Sequence, residues 1–248
     1  LGGIGSEIVS MVEKIANKSL RTSLQFAVVD TDINTLGRIK RSGFGGKMIQ
    51  LSDDITVEEC LASDPEHYQR WFMENKILAN KPMTEGAGQI RCVSRLAFEL
   101  AVAKGKLRPL EKSVDQLYLD TDRNIGAALR IIVVSSLAGG TGSGLIIPVT
   151  MYLRAYLSDR LSQNSVIVRG VFLTANCFFS IMGSEHERKS LAGNAYAAVK
   201  ELDAFTKRAD GYLPSLYNKV FLDDNNEKTL ICDYYYLFSA KNERSLDL

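Results

Sequence analysis

The chain has 248 residues, 46% hydrophobic and 24% charged, with 30 Lys+Arg against 29 Asp+Glu and a formal net charge of +1. That length suits one large α/β domain or two small ones, and the near-neutral balance gives no support to nucleic-acid binding, which needs a basic stripe or domain. The longest apolar stretches, Gly144 to Met151 and Val166 to Phe179, are short or broken by Arg169 and Asn176, so none reaches the ~20 apolar residues of a membrane-spanning helix.

The first residues, Leu1-Gly2-Gly3-Ile4-Gly5, carry no basic region of a secretory signal. A glycine loop of this kind normally follows a buried strand, so the sequence is expected to be a fragment, or ordered pieces, of a longer protein. Glu7 to Ala16 has Ile8, Val9, Val12, Ile15 and Ala16 at helical spacing and starts from that loop. Gln25 to Val29 reads as a short buried strand ending in Asp30-Thr31-Asp32. Gly37 to Gly46 is polar and breaks the pattern, while Thr56 to Leu61 and Pro65 to Leu78 look helical. Gly86-Ala87-Gly88 precedes a helix over Arg91 to Ala103, and Leu110 to Leu129 continues as amphipathic helix with a break near Leu119 to Asp122.

Arg130 to Leu137 is the clearest central strand, apolar and β-branched without alternation, as strands covered on both faces are. Ala138-Gly139-Gly140-Thr141-Gly142-Ser143-Gly144 follows, then a helix from Leu145 to Leu157 with Pro148 in its first turn, where it is tolerated. Val166 to Thr174 is a further strand, and Arg188 to Phe205 a long helix with Leu191, Ala195, Ala198, Val199 and Leu202 inward. Lys219 to Leu222 and Thr229 to Phe238, separated by Asp223-Asp224-Asn225-Asn226, suggest a hairpin at a sheet edge. Alternating strands and helices predict an α/β fold, a doubly wound, mostly parallel sheet with helices on both faces.

Cys60, Cys92, Cys177 and Cys232 form no Cys-x-x-Cys pair, so zinc and a disulfide framework lack their signature. His67 follows Asp64-Pro65-Glu66 and reads as a solvated helix histidine. Chemistry is instead concentrated at strand ends, where ligands of open α/β sheets bind. Three glycine-bearing turns there offer backbone N–H groups and helix N-termini, both of which favour polyphosphate. In Gly139 to Gly144, glycines leave no Cβ to obstruct phosphate and the Thr141 and Ser143 hydroxyls add donors; the Lys of a P-loop is missing.

This AGGTGSG motif resembles the glycine signature of the tubulin/FtsZ superfamily, GGGTGSG or GGGTGTG, with Ala138 for the first glycine. The resemblance runs in order along the chain. Gly2-Gly3-Ile4-Gly5-Ser6 resembles the first nucleotide loop, Asp30-Thr31-Asp32 the Asn-Thr-Asp of FtsZ, and Gly86-Ala87-Gly88 the γ-phosphate loop. Arg188 and its neighbours lie where the family has ribose-side residues, Thr174 ends the preceding strand, and Asn242 looks like the asparagine that contacts guanine.

The resemblance implies GTP or GDP with Mg²⁺, which Asp32 could reach through water, in a cytoplasmic protein that assembles with itself head to tail into filaments. It also implies that hydrolysis is completed by a neighbouring subunit's loop. That loop and the second domain are not in this sequence, so residues 1–248 are expected to form a nucleotide-binding domain that stops before or within the central helix, with no catalytic residue of its own. Glu7 stands where FtsZ has Asn, so it either turns outward or meets a cation. Other readings stay open. Asp32 and Gly86 to Gly88 could simply cap or start helices, and Arg91 and Arg95 could form a solvated face, reach phosphate or reach a neighbouring subunit. Tyr234 to Tyr236, Trp71 and Phe72 read as packing. A Rossmann-type dinucleotide site or a ubiquitin-activating-type adenylyltransferase would explain the opening glycines and Asp30 but not AGGTGSG. A non-hydrolysing, nucleotide-regulated structural protein is the third reading.

Overall fold

The computed structural model describes residues 1–16, 23–73, 76–121, 128–158, 160, 166–206 and 231–240. Helix α1 (Gly2–Ile15) takes in the opening glycines, which the sequence placed in a loop before Glu7. Gly2 has a φ of +67°, open to glycine but strained for a side chain. Strand β1 (Ala27–Asp30) follows, then α2 (Ile33–Arg41) and β2 (Lys47–Gln50). Of the stretch expected to be irregular, 37–46, the first half is therefore helical and only 42–46 is irregular. Gly37 costs a helix interior about 1 kcal/mol relative to Ala, but Asp32 caps α2 by accepting from the Asn34 and Thr35 amides, and Leu36 and Ile39 bury its inner face.

Helix α3 (Val57–Ala62) lies where a helix was expected over 56–61, while two short helices, α4 (Pro65–Tyr68) and α5 (Lys76–Ala79), take the place of the longer helix expected over 65–78. Thr56 and Glu59 cap each other at the start of α3, and Asp64 caps α4 ahead of Pro65. Helix α6 (Arg91–Ala103) has its predicted bounds, and α7 (Arg108–Thr121) follows.

Strand β3 (Leu129–Ser136) leads into α8 (Gly140–Ser158). Because the motif glycines wind into this helix, Pro148 lies in its interior and not in its first turn. There it forfeits a backbone hydrogen bond. Burial of Leu145, Ile146, Ile147, Val149 and Met151 on the same helix outweighs that loss, at about 1.5–3 kcal/mol for each large apolar side chain. Strand β4 (Val166–Leu173), a 3₁₀ turn (Ala175–Phe178), α9 (Glu185–Thr206) and β5 (Tyr234–Phe238) complete the order. Helix α9 begins earlier than expected, where Ser184 and Glu187 cap each other. Leu191, Ala198 and Leu202 face inward as predicted, whereas Val199 is exposed.

Every ladder is parallel: β1 with β2, and β3 with β4 with β5. The α/β class is as predicted, with the ladder in two parts. Between β1 and β3 lies an apolar cleft lined by Ala27, Val29, Ile131 and Val133, and α1 packs against both strands. Of the expected hairpin, 219–222 falls outside the described residues, and β5 joins β4 in parallel. Tyr235 packs against the core while Tyr234 and Tyr236 are exposed. A shared core containing Leu96, Phe98, Leu145 and Phe172, all fully buried, ties α6 and α8 to the β3 sheet. This packing fixes the helix N-termini that follow β1 and β3.

Candidate functional site

At the carboxyl ends of β1 and β3, the N-termini of α1 and α8 meet backbone to backbone. A Cβ on Gly2 would lie 2.7 Å from the Gly142 nitrogen, and one on Gly5 would overlap the Val134 carbonyl oxygen. A Cβ on Gly140 would lie 2.6 Å from the backbone of Gln89 and Ile90, and one on Gly144 would lie 2.5 Å from the Arg91 carbonyl oxygen. These glycines therefore serve close backbone packing, which corrects the expectation that they mainly clear space for phosphate. Gly139 differs: a Cβ there meets nothing within 4 Å. Thr31 Oγ1 and Thr141 Oγ1 are 2.9 Å apart, joining the turn after β1 to the glycine motif.

The turn over 86–90 closes another side. Gly86, Gly88 and Gln89 all have positive φ, a conformation that costs energy at Gln89, where a side chain is present. A Cβ on Gly86 would come within 3.0 Å of Asp32 Cβ. Asn194 of α9 donates to both Gln89 O, at 2.8 Å, and Ala138 O, at 3.0 Å, holding the two loops together. Arg91 fastens the same junction: Nε donates to Ser143 Oγ at 3.0 Å, and the guanidinium forks onto Glu201. Ser94 Oγ donates to Gly140 O at 2.8 Å.

Helices α1 and α6 have no side-chain cap, so first-turn N–H groups of both lack intrahelical partners. Helix α8 starts within the glycine motif between them. Convergent helix N-termini bring partial positive charges together, an arrangement that an anion stabilises. The family model described as tubulin like matches residues 1–248. The chain belongs to the tubulin-like family. No curated protein matches it.

Several sequence expectations change in this tubulin-like chain. Ser143 is 2% exposed, its hydroxyl donates to Gly139 O at 2.6 Å while accepting from Arg91, and its carbonyl also accepts from Arg91, so its hydroxyl is committed within the fold. Asp30 is buried, with Oδ1 accepting from the Thr31 and Asp32 amides and Oδ2 unpartnered. Burial pushes its carboxyl above the ordinary range, against the pull of those amides. A ribose contact of the dinucleotide kind would need this side chain facing a ligand, whereas Asp30 is only 2% exposed.

Both Asp32 oxygens are taken up by the α2 cap, and Thr35 Oγ1 adds a bond at 2.7 Å. Ser6 is buried without a partner for its hydroxyl, and Ala87 is buried, while Gly3 borders Thr35. Thr174 spends its hydroxyl on Phe238 O and Asn176, and Arg188 stands exposed, bonded to Met182 O. None of these bonds involves the glycine motif, and Asn242 lies outside the described residues. Glu7 turns outward and pairs with Arg38 at 3.5 Å.

The arginines of α6 are not a solvated face. Arg95 is buried, its Nε 2.9 Å from Glu99 Oε1 and its guanidinium 3.9 Å above the Trp71 ring. Glu99 also meets His67 Nε2 at 2.7 Å, and the His67 side chain is only 11% exposed and not a solvated histidine as expected. The sequence reading missed Gln89, Asn194 and Glu201. Gln89 follows a Gly-Ala-Gly that hints at unusual backbone, but nothing local marks Asn194 or Glu201.

Proposed function

We propose that this chain binds GTP or GDP with Mg²⁺ at the junction of α1, α6 and α8, and that full-length protein assembles head to tail and hydrolyses GTP at the subunit contact. The supporting observation is that the N-termini of α1 and α6, which carry no side-chain cap, pack against the start of α8 beside Gly139, a position where a Cβ would meet nothing within 4 Å. Amides of Gly2, Gly3 and Gly139 to Gly142 would hold phosphate oxygens, with Thr141 as the hydroxyl at the mouth. The family match supports guanine nucleotide, and the remaining contacts, to Thr174, Arg188 and Asn242, rest on the resemblance alone.

Among the described residues no group of three or more His, Cys, Asp or Glu forms a metal cage. Mg²⁺ would therefore be held mainly by phosphate oxygens and water, and Asp32, already capping α2, would act only through water. When bound, the ion neutralises phosphate charge. No described helix is long and apolar enough to cross a membrane; a cytoplasmic location is part of the proposal.

Nucleotide released from purified full-length protein and identified by chromatography should be GTP or GDP, and adding GTP should raise light scattering. Bound NAD or AMP would overturn the reading, while binding without scattering or turnover would point to the non-hydrolysing relative. The sharpest substitution is Gly139→Val. Gly142→Val would be ambiguous, because its Cβ meets Ser135 Oγ at 2.5 Å. Gly139→Val has space within the fold, so unliganded stability should stay within roughly ±0.5 kcal/mol. Nucleotide affinity should fall by about tenfold or more, equivalent to ~1.4 kcal/mol. Unchanged affinity would remove Gly139 from the cradle.

A further inference from the structure

The loops around Gly139 offer amides and hydroxyls, but their nearby carboxylates work against a polyanion. Asp30 and Asp32 lie in the turn after β1, and Glu85 pairs with Asp32 through a backbone bridge just before Gly86. Cations that could offset them are mostly committed elsewhere. Arg91 is bound to Glu201, Arg95 to Glu99, and Lys104 and Lys106 to Asp53, while Arg38 reaches Glu7.

Lys81 is different. Its backbone is fixed, since Lys81 N donates to Leu78 O at 3.0 Å and Val57 N donates to Lys81 O at 3.1 Å. Its side chain reaches the turn over 86–90: a Cβ on Gly88 would lie 3.3 Å from both Lys81 Cε and Nζ. Among the described residues the ammonium has no acidic partner. A partly buried, anchored lysine with no acidic partner among the described residues sits against a glycine whose φ is +57°, on the same turn that packs on Gly140.

We infer that Lys81 binds the terminal phosphate of a nucleoside triphosphate and makes the site prefer triphosphate over diphosphate. This rests on the nucleotide reading above. The added negative charge of a triphosphate is what an uncommitted ammonium at this turn can recognise. A diphosphate, held by the amides of α1 and α8, would gain little from it.

The test is titration of full-length protein with GTP and with GDP, in the unsubstituted chain and in Lys81→Ala and Lys81→Arg. Lys81→Ala should weaken GTP by about tenfold to a hundredfold, the range of a hydrogen bond to a charged group. GDP affinity should change by less than about twofold, and Lys81→Arg should restore most of the GTP preference. Equal losses for both nucleotides, or no loss for GTP, would overturn the role of Lys81 while leaving the nucleotide site standing. Failure of the unsubstituted protein to bind either nucleotide would overturn the site itself, and the inference with it.

Discussion

Two polar regions lie along α6, and they treat unmatched charge in opposite ways. In one, His67, Glu99, Arg95 and the face of Trp71 close on each other inside the fold. Each Glu99 oxygen has a cationic or imidazole partner, so the charges of this group are matched without a ligand, although Trp71 Nε1 is buried without a hydrogen bond. In the other, at the start of α6, backbone N–H groups of helix termini converge and are left without capping side chains. Sequence composition does not distinguish them: both use polar residues near one helix. Closure does, because a buried polar group without a partner costs free energy that a bound anion can return.

The comparison breaks first at Glu99. Replacing it with Ala would leave Arg95 and His67 buried without their acid, and such losses cost about 3–5 kcal/mol. At roughly 2–4 °C per kcal/mol for a domain of this size, thermal unfolding should move down by more than any other substitution considered. Nucleotide affinity, measured below that transition, should hold. Loss of affinity without loss of stability would mean that the closed cluster belongs to the site.

Gly140→Ala should act on both quantities at once. Its Cβ meets the backbone of Gln89 and Ile90 at 2.6 Å, where no side-chain end can swing away. Overpacking of this kind costs about 1–3 kcal/mol, and by parting α8 from the 86–90 turn it should also weaken nucleotide binding. The paired Gly139→Ala has open space and should leave stability unchanged. Equal melting temperatures for the two variants would show that backbone packing is not what the motif glycines provide.

Much of this was legible in sequence where the cause is local. AGGTGSG could be placed at a strand end because a β-branched run precedes it, and α6 could be bounded from Gly88 and its apolar face. Helix α2 was missed because Gly37 and a polar surface hide two buried apolar positions, Leu36 and Ile39, behind an Asp32 cap read chiefly as a ligand. Burial of His67 depends on Glu99, 32 residues away, and the inward turn of Arg91 on Glu201, 110 residues away. Local periodicity carries no trace of such pairs. The glycines show a subtler limit: sequence reports that a Cβ is absent at Gly140 and Gly139 alike, and only packing tells which absence serves the fold and which leaves a space.

Asp30 gives the smallest effect and tests whether the two regions are as distinct as closure suggests, since it carries an unclosed oxygen inside the turn of the open one. Burial raises its carboxyl above the ordinary value of 3.8. Between that value and the raised one, the folded chain keeps a proton that the unfolded chain has lost. Stability therefore falls as pH rises through this window and levels off above it. Asp53 contributes the opposite slope: partial burial there is outweighed by Lys104 and Lys106, so its carboxyl lies below the usual range. The difference between two profiles isolates Asp30. Asp30→Asn keeps an acceptor for the Thr31 and Asp32 amides but cannot titrate, so its melting temperature should gain on the unsubstituted chain as pH rises from 4 to 7, by roughly 2–4 °C for each kcal/mol regained. Parallel profiles would mean that the unpartnered oxygen costs nothing when charged, and that something in the turn already closes it.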